Sequence, residues 1–350
     1  MCVISKASGG AFMFGILLGW SAPAASQIIE RHEDDFYFWI TNSQFTWIVA
    51  MMPLGAVFSC VLSGIIRNII GTRFTFLLFG IPILIGLTLL TIPLNPGMLI
   101  AGRFLCGISI GCYSYIVPIY VGEIASNKIR GRLLSLFQVC LNFGILFIYI
   151  LGHFTTYRVF NIVCGILSIF YSFGCLVLPE SPPFLIRKQR ELDADYSLKI
   201  LRGKSFNTYE EIQMLKRQHQ EFLNQKKTIT EIFKTKTTLK AFFIIMLQFT
   251  FLQMTGINAV LFFSTIIFNE AKINLEPGIA SIIVASVLVC ATFLSVTFVD
   301  RFGRKFLLIS SNILMFFGLC GIGTYFTLKD EGNNIDALTW LPGFQVEWAQ

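Results

Sequence analysis

Charge is scarce in this chain: 13% of its 350 residues are Asp, Glu, Lys or Arg, whereas 55% are hydrophobic. A soluble domain cannot hide so much apolar surface from water, so the composition excludes an ordinary soluble protein. The mean hydropathy of +0.70 leads to the same conclusion. We therefore expect a protein that crosses a membrane several times.

Other features are also missing. The nine cysteines show neither a disulfide framework nor metal-ligand spacing, and no Asn-x-Ser/Thr sequence occurs. The chain has no glycine loop that would cradle a phosphate, no nucleophile beside a base, and no solvated basic domain that would bind nucleic acid. We expect no enzyme activity, no cofactor, no metal and no nucleic-acid partner.

Long apolar runs dominate instead. A run of about 20 residues crosses the ~30 Å hydrocarbon core of a bilayer, and nine such runs are present. The first starts too close to the N-terminus, and is too weakly basic, for a cleaved signal peptide. We number them spans 1 to 9; they cover roughly residues 9–28, 45–66, 74–94, 97–120, 133–152, 159–179, 241–267, 277–299 and 306–327.

The basic residues predict the orientation. With the N-terminus in the cytoplasm, 22 of the 27 lysines and arginines fall on the cytoplasmic side. Arg31, Arg158, Lys272 and Lys329 fall outside, and Arg103 lies within a span. This asymmetry follows the positive-inside rule, so the net charge of +7 reflects membrane topology.

The order of the spans predicts the domains. Residues 1–185 should form a six-helix bundle, 186–238 a cytoplasmic helical linker, 239–328 a partial second bundle of three helices, and 329–350 a polar tail. The linker has apolar positions at helical spacing, including Leu198 and Leu215, and a break near Gly203. A flexible charged linker is the alternative interpretation of that segment.

Span 4 carries the strongest functional pattern. Arg103 lies near its start and Glu123 near its end, and charge inside an apolar run is costly unless it serves a function. Gly107 and Gly111 are four residues apart, so they share a face that another helix can approach closely.

The loops after spans 2 and 8 resemble each other. One reads RNIIGTR (67–73) and the other DRFGRK (300–305), and in each an acid or amide precedes the glycine by three residues. Matching loops in two halves of a membrane protein suggest a transporter built from structural repeats.

At this point the chain resembles the sugar porters of the major facilitator superfamily. The resemblance rests on Gly107, Gly111, Tyr120, Glu123 and Arg130-Gly131, on the 300–305 loop, on PESPPFL (179–185) and on QMTGINAV (253–260). Within the family, IVPIYVGEIAS and LRG look most like the insect facilitated trehalose transporters. The resemblance implies an all-α, multi-pass fold with about nine of the usual twelve transmembrane helices, lacking helices 10 to 12.

Neutral amides are the candidate sugar ligands, since they both donate and accept hydrogen bonds. Gln138 and Asn142 share one face of span 5. In span 7, Thr255-Gly256 between Gln253 and Asn258 would let the helix unwind. The resemblance implies sugar contacts for Gln138, Gln253 and Asn258; for Gln138 and Asn142 a hydrogen bond between helices is the alternative.

The chain also departs from the family pattern. Leu252 replaces the first of two adjacent glutamines, Phe262-Phe263 replace tyrosines, and Leu288 stands where span 8 commonly has a polar residue. Each change removes a polar partner, so we expect an altered affinity or preference for sugars.

Charged residues at the inner ends of the spans suggest a gate. Ion pairs there would hold the two halves together in one state and break in the other. Simple positive-inside anchoring is the alternative for each. The candidates are Arg73, Arg103, Glu123, Arg130, Glu180, Asp300 and Arg304.

Span 1 bears on coupling. The resemblance implies that proton-coupled relatives place an acid there opposite the Arg103 position, whereas this chain has Ser21 and no carboxylate in the span. We therefore expect facilitated diffusion of a sugar, with trehalose as the candidate, at the plasma membrane. The alternative is a truncated, non-transporting or sensor-like member of the same family.

Overall fold

The computed structural model describes residues 2–30, 38–125, 130–203, 206–224, 235–270 and 276–330. Within those ranges every regular element is a helix, as predicted. The expected gate residues Asp300 and Arg304 lie in described helices, but their side chains are outside the described residues. The predicted tail at 331–350 also lies outside the described residues.

The helices follow the order of the predicted spans and the linker. Span 1 consists of two helices and a π-helical turn, and span 7 consists of two helices. In chain order the helices are α1 (Cys2–Gly19), α2 (Ser21–Ala25), the π-helical turn (Ser26–Glu30), α3 (Asn42–Ile70), α4 (Thr72–Thr91), α5 (Pro96–Ile124), α6 (Arg130–Phe154), α7 (Tyr157–Cys175), α8 (Pro182–Arg187), α9 (Glu191–Arg202), α10 (Tyr209–Asn224), α11 (Lys236–Met254), α12 (Ile257–Glu270), α13 (Pro277–Phe302) and α14 (Arg304–Asp330).

Eight helical segments in the described part of the chain are long and apolar enough to cross a membrane. They correspond to spans 1 to 8, so this chain is an integral membrane protein. Span 9 lies in α14, whose apolar described part runs from Lys305 to Gly321. Many large apolar side chains of these helices are exposed, among them Val57, Phe58 and Val61 of α3, as expected of helices that face lipid.

Two compact units divide the described chain. One contains residues 1–178 and 259–350, and the other contains Pro179–Asn258. The first unit therefore holds spans 1 to 6 together with α12, α13 and α14. The proposed division at 185/186 and 238/239 remains a prediction.

Local sequence explains where the helices begin. Thr41 and Gln44 form a capping box at the start of α3: the Thr41 hydroxyl accepts from the backbone N–H of Gln44, and the Gln44 side chain accepts from that of Thr41. Asn95 caps α5 by accepting from the backbone N–H of Met98 at 2.9 Å, and Pro96 occupies the first helical position.

Glycine allows close helix packing in the first unit, as the Gly107/Gly111 pattern predicted. α3 packs against α5 along its length. At Gly107, an added Cβ would overlap the carbonyl oxygen of Met52 and lie 3.0 Å from its Cα. At Gly111, an added Cβ would lie 2.8 Å from the Cα of Ala56. These two positions set how close α3 and α5 come.

The repeated loops have the same geometry. Gly71 alone separates α3 from α4, with φ 91°, and Gly303 alone separates α13 from α14, with φ 81°. Each backbone N–H closes the preceding helix, on the carbonyl of Arg67 at 2.9 Å and of Val299 at 3.2 Å. Positive φ favours glycine at such a junction. The structure thus confirms that the two loops are equivalent.

The second unit contains the polar linker. Phe184, Leu185, Ile186 and Ala194 form a buried cluster, and Ile212 and Leu215 pack against it. Leu198 is also buried. The described part of the linker is therefore a packed group of short helices, and the interpretation of this part as a flexible chain is wrong. The helical break falls at Gly203, as predicted.

Polar contacts join α9 to α10 in this unit. The guanidinium of Arg202 binds both carboxylate oxygens of Glu211, at 2.9 and 3.3 Å. Asp195 accepts hydrogen bonds from Lys199 at 2.6 Å and from the hydroxyl of Thr208. These bonds hold the pKa of Asp195 below its ordinary value. The stabilisation from Asp195 is therefore present at neutral pH and is lost as the pH falls through that lowered pKa.

Gly107→Ala should destabilise the protein, because the new methyl group meets the Met52 backbone, which cannot move without shifting α3. Gly122, in the same helix, is the matched control, since nothing lies within 4 Å of a Cβ added there. When no clash occurs, replacing a glycine inside a helix by alanine raises the free energy of unfolding by roughly 0.5–1 kcal/mol. Thermal unfolding of the detergent-purified variants should show a lower midpoint for Gly107→Ala and an equal or higher one for Gly122→Ala. Equal midpoints would contradict the role of Gly107.

Candidate functional site

Arg103 lies fully buried between α5 and span 1. Its Nη1 donates to the carbonyl of Leu17 at 3.1 Å, and its Nη2 donates to the Ser21 hydroxyl at 2.9 Å. The guanidinium also lies 4.7 Å from the ring centre of Trp20. The indole N–H of Trp20 in turn donates to Asn161 at 2.7 Å. A carbonyl, a hydroxyl and an aromatic face thus solvate this cation.

Ser21 therefore faces Arg103, at the position where the resemblance implied an acid in proton-coupled relatives. Its hydroxyl is a neutral acceptor, and residues 9–28, the predicted extent of span 1, contain no Asp or Glu.

Gln138 and Asn142 are brought together on α6, as their spacing predicted. The Gln138 amide nitrogen lies 3.4 Å from Asn142 Oδ1, a long contact for a hydrogen bond. Gln138 is exposed, whereas Asn142 is fully buried. Asn142 Nδ2 donates to the hydroxyl of Thr292 in α13 at 2.6 Å. Asn142 thus joins α6 to α13, which is the structural alternative considered for it.

Further contacts join spans 1 and 5 to α12 near the C-terminal end of α6, where the start of α13 also lies. The Tyr149 hydroxyl donates to the carbonyl of Leu261 at 2.7 Å, and the Thr265 hydroxyl donates to that of Ala22 at 2.8 Å. A cavity of about 140 Å³ lies there, between Pro23, His153 and Glu276 among others. By contrast, residues 130–138 of α6 and 293–299 of α13 are mostly exposed or half-buried. Among the described residues, the hydrogen bonds of Tyr149 and Thr265 close the two sets of helices together at the C-terminal end of α6.

The break in span 7 lies where the sequence predicted it. α11 ends at Met254 and α12 begins at Ile257, with Gly256 at φ 74° between them. The turn brings the side chains of Gln253 and Asn258 together, and Asn258 Nδ2 donates to Gln253 Oε1 at 2.9 Å. Both residues belong to the second compact unit, whereas Gln138 and Asn142 belong to the first.

Glu123 makes an ion pair with Arg67, within the first bundle. The Arg67 side chain is 6% exposed and that of Glu123 is 21% exposed. Arg67 Nε also donates to the hydroxyl of Thr72 at 3.1 Å. The pair therefore links α5 to the α3–α4 junction, at the loop that carries the first of the repeated motifs.

The other candidate gate residues with described side chains are Arg130, Arg73 and Glu180. Arg130 is the exposed first residue of α6, and Arg73 is half-buried with its guanidinium 5.9 Å from the ring centre of Phe74. Glu180 belongs to the second unit, where its carboxylate accepts from the backbone N–H of Ser181 at 3.0 Å. With the Asp300 and Arg304 side chains outside the described residues, the gate across the two halves stays a prediction.

Sequence reasoning assigned no role to Arg67 or Thr292. Arg67 stands six residues before the Arg73 of the quoted loop, and an arginine at the inner end of a span is explained by topology alone. Thr292 stands four residues after Leu288, one helical turn from the position where a polar residue was expected. That spacing is the signal that would have found it.

A comparison with protein families decides what kind of chain carries these features. The profile of the family described as "Sugar (and other) transporter" matches residues 2–344. This chain belongs to that family. It is therefore a member of a transporter family and not of an enzyme family.

The curated relatives of this transporter family member include insect proteins. It is 30% identical over 335 residues to the facilitated trehalose transporter Tret1 of Drosophila erecta, covering 95% of this chain and 39% of that protein. It is 31% identical to the Tret1-2 homolog of Drosophila sechellia, covering 94% of this chain and 67% of that protein. Tret1 of Apis mellifera ligustica is also 31% identical, with 94% and 66% covered. The chain thus spans between about two fifths and two thirds of these relatives.

Solved structures with the same fold include those of the xylose transporter XylE. The proton:xylose symporter XylE bound to 6-bromo-6-deoxy-D-glucose superposes with a TM-score of 0.75 at 21% identity, covering 99% of this chain and 79% of that one. A partially occluded inward-open XylE of E. coli gives a TM-score of 0.73 at 20% identity, covering 99% and 84%. At this identity the likeness shows the fold, which is that of the major facilitator superfamily, as predicted.

Glu123→Gln should destabilise the first bundle, because it leaves the buried Arg67 without its counter-charge. The expected loss is on the order of 2 kcal/mol, measured as a lower thermal midpoint of the purified protein. The Lys216–Glu191 pair at 2.7 Å is more exposed, so Glu191→Gln is the control and should cost less than about 0.5 kcal/mol. Similar losses from both variants would contradict a special role for the Arg67–Glu123 pair.

Proposed function

We propose that this chain is a facilitative sugar transporter, a uniporter, that works by alternating access and carries trehalose. Its membership of the sugar transporter family and its insect trehalose-transporter relatives support the choice of substrate class. The observation that carries the uniport mechanism is the environment of Arg103, where a serine hydroxyl and a carbonyl replace a titratable acid.

Sugar recognition rests on the amide side chains. Each pair, Gln138 with Asn142 and Gln253 with Asn258, presents uncharged donors and acceptors within a membrane-spanning segment. A sugar hydroxyl both donates and accepts, so an amide can match it without placing a charge in the bilayer. We propose that Gln138, Gln253 and Asn258 bind sugar hydroxyls, and that Asn142 supports Gln138.

Alternating access is supported by the one-sided closure of the first unit. Contacts through Tyr149 and Thr265 close spans 1 and 5 against α12 at one end, whereas the opposite ends of α6 and α13 are largely exposed. With the N-terminus in the cytoplasm of a plasma-membrane protein, the closed end is the outer one. Opening it would require these hydrogen bonds to break while contacts form at the inner end.

Charged residues at the inner end would provide the contacts that form when the hydrogen bonds at the outer end break. We propose that Glu123, Arg130 and Glu180, together with Asp300 and Arg304, form ion pairs when the inner end closes. Arg67 pairs with the Glu123 carboxylate and holds it in position in the state seen here. Arg73 and Arg103 stay within the first bundle, where they position the helices that carry the network.

Uptake of radiolabelled trehalose and glucose in oocytes tests the transport function. Cells that express the chain should take up more sugar than uninjected cells. Gln253→Ala should raise KM about tenfold, since one or two lost hydrogen bonds to sugar are worth roughly 1–1.5 kcal/mol. Gln248→Ala is the matched control, because Gln248 is an exposed amide on the same helix. Uptake equal to uninjected cells at full surface expression would refute the proposal and favour a sensor-like protein.

A proton gradient tests the uniport mechanism. Because no carboxylate faces Arg103 in the described part of span 1, an inward proton gradient imposed on vesicles should leave initial uptake unchanged within experimental scatter. The same vesicles treated with a protonophore serve as the control. A several-fold rise in uptake that the protonophore abolishes would show proton coupling and refute the uniport assignment.

A further inference from the structure

Thr292 is the one hydroxyl that joins the predicted sugar-binding face of α6 to α13 in the described residues. It is buried, and its oxygen lies 2.6 Å from Asn142 Nδ2, which is 150 residues away in the chain. The rings of Phe143 and Phe293 meet edge to face beside this bond, with centres 6.0 Å apart. Asn142 and Thr292 are both buried, so the polar contact between them is shielded from competing solvent.

The direction of this hydrogen bond follows from the proton count of the hydroxyl. The Thr292 hydroxyl donates its single proton to the backbone carbonyl of Leu288 at 2.8 Å. Only its lone pairs remain for Asn142, so Asn142 must present its NH₂ group to Thr292. A reversed amide would either place two acceptors face to face in a buried site or require the Thr292 hydroxyl to give up its hydrogen bond to Leu288, and both cost free energy. Thr292 thus sets the orientation of the Asn142 amide.

The orientation passes on to Gln138. With its NH₂ group directed at Thr292, Asn142 directs its carbonyl oxygen along α6 toward Gln138, whose Nε2 lies 3.4 Å away. Gln138 is exposed and is held only at that end by the described residues. Its carbonyl oxygen is therefore the end left for a ligand.

We propose that Thr292 is a specificity-determining residue, which acts through Asn142 to make Gln138 a hydrogen-bond acceptor toward the sugar. This inference rests on the proposed function, since it takes Gln138 to be a sugar ligand. Thr292 itself is a positioning residue and does not contact the substrate.

A chemical consequence separates this role from simple packing. A carbonyl acceptor requires a sugar hydroxyl that donates, and fluorine in place of that hydroxyl cannot donate. The wild-type protein should therefore discriminate against the monofluorinated sugar at one ring position. If the amides were free to turn, Gln138 would present its NH₂ group instead, and the discrimination at that position would shrink.

The test measures equilibrium binding to the detergent-purified full chain by titration calorimetry, so that it does not depend on transport. The probes are trehalose, D-glucose and the monodeoxyfluoro-D-glucoses, with one hydroxyl replaced in each. The variants are Thr292→Val, which keeps the shape but loses the hydroxyl, and Thr292→Ser, which restores it. Thr297→Val is the control, because Thr297 is exposed on the same helix and bonds only the carbonyl of Phe293.

We expect wild type, Thr292→Ser and Thr297→Val to bind one fluorinated glucose about tenfold more weakly than glucose, which corresponds to one hydrogen bond. In Thr292→Val this ratio should fall to about threefold or less, while binding of the other analogues changes in parallel with glucose. Thermal midpoints measured on the same samples show that each variant is folded.

Two results would overturn the inference. If Thr292→Val weakens all sugars equally, or keeps the wild-type discrimination, Thr292 does not orient the amides. If the wild type binds neither trehalose nor glucose, the proposed function itself is refuted, and the inference falls with it. The two failures are distinguished by whether the wild-type protein binds sugar.

Discussion

A buried arginine without a carboxylate beside it is the constraint around which the first bundle is arranged. Arg103 cannot reach water, so its charge must be solvated by groups that the protein supplies. Span 1 supplies them by ending its first helix at Gly19 and turning at Trp20, which places the Leu17 carbonyl, the Ser21 hydroxyl and the indole face around the guanidinium. Asn161 then holds the indole from α7. Three spans are thus positioned by one cation.

The same requirement explains the other polar contacts within the membrane-spanning helices. A polar group in hydrocarbon must find its partner inside the protein. Asn142 donates a hydrogen bond to the Thr292 hydroxyl. Tyr149 donates to the carbonyl of Leu261, and Thr265 donates to that of Ala22. Each of these bonds joins one of the first six spans to α12 or α13. Neutral hydrogen bonds of this kind can be exchanged for bonds to a sugar or to another helix at modest cost, whereas buried ion pairs cannot.

Much of the architecture was predictable because it depends on local sequence. Apolar runs of sufficient length specified the spans, Thr255-Gly256 marked the break in span 7, and the matched loops predicted equivalent junctions at Gly71 and Gly303. Each of these features requires only neighbouring residues. The resemblance to the sugar porters added the fold and the candidate amides.

The partners of the polar residues were not predictable in the same way. The ion pair of Glu123 with Arg67 within the first bundle was not foreseen, and the expected role of Glu123 in a gate to the second half of the chain stays a prediction. Asn142 shares a face with Gln138 by spacing, but only the rotation of α13 about its axis decides that Thr292 meets it. Such rotations depend on the packing of all neighbouring helices, and one sequence does not determine them.

The two single-glycine junctions have a mechanical consequence. A junction of one residue has no spare length, so α3 and α4 cannot slide past each other along their axes, and the same holds for α13 and α14. The two helices of each pair must therefore move together along the membrane normal. A change in the angle between them would come from backbone rotation at Gly71 or Gly303. Arg67 lies one helical turn before Gly71, and it also donates a hydrogen bond to Thr72 just after it. If α5 tilts, Glu123 would therefore pull on Arg67 and act directly on the backbone at Gly71. The Arg67–Glu123 ion pair therefore couples movement of α5 to rotation at Gly71.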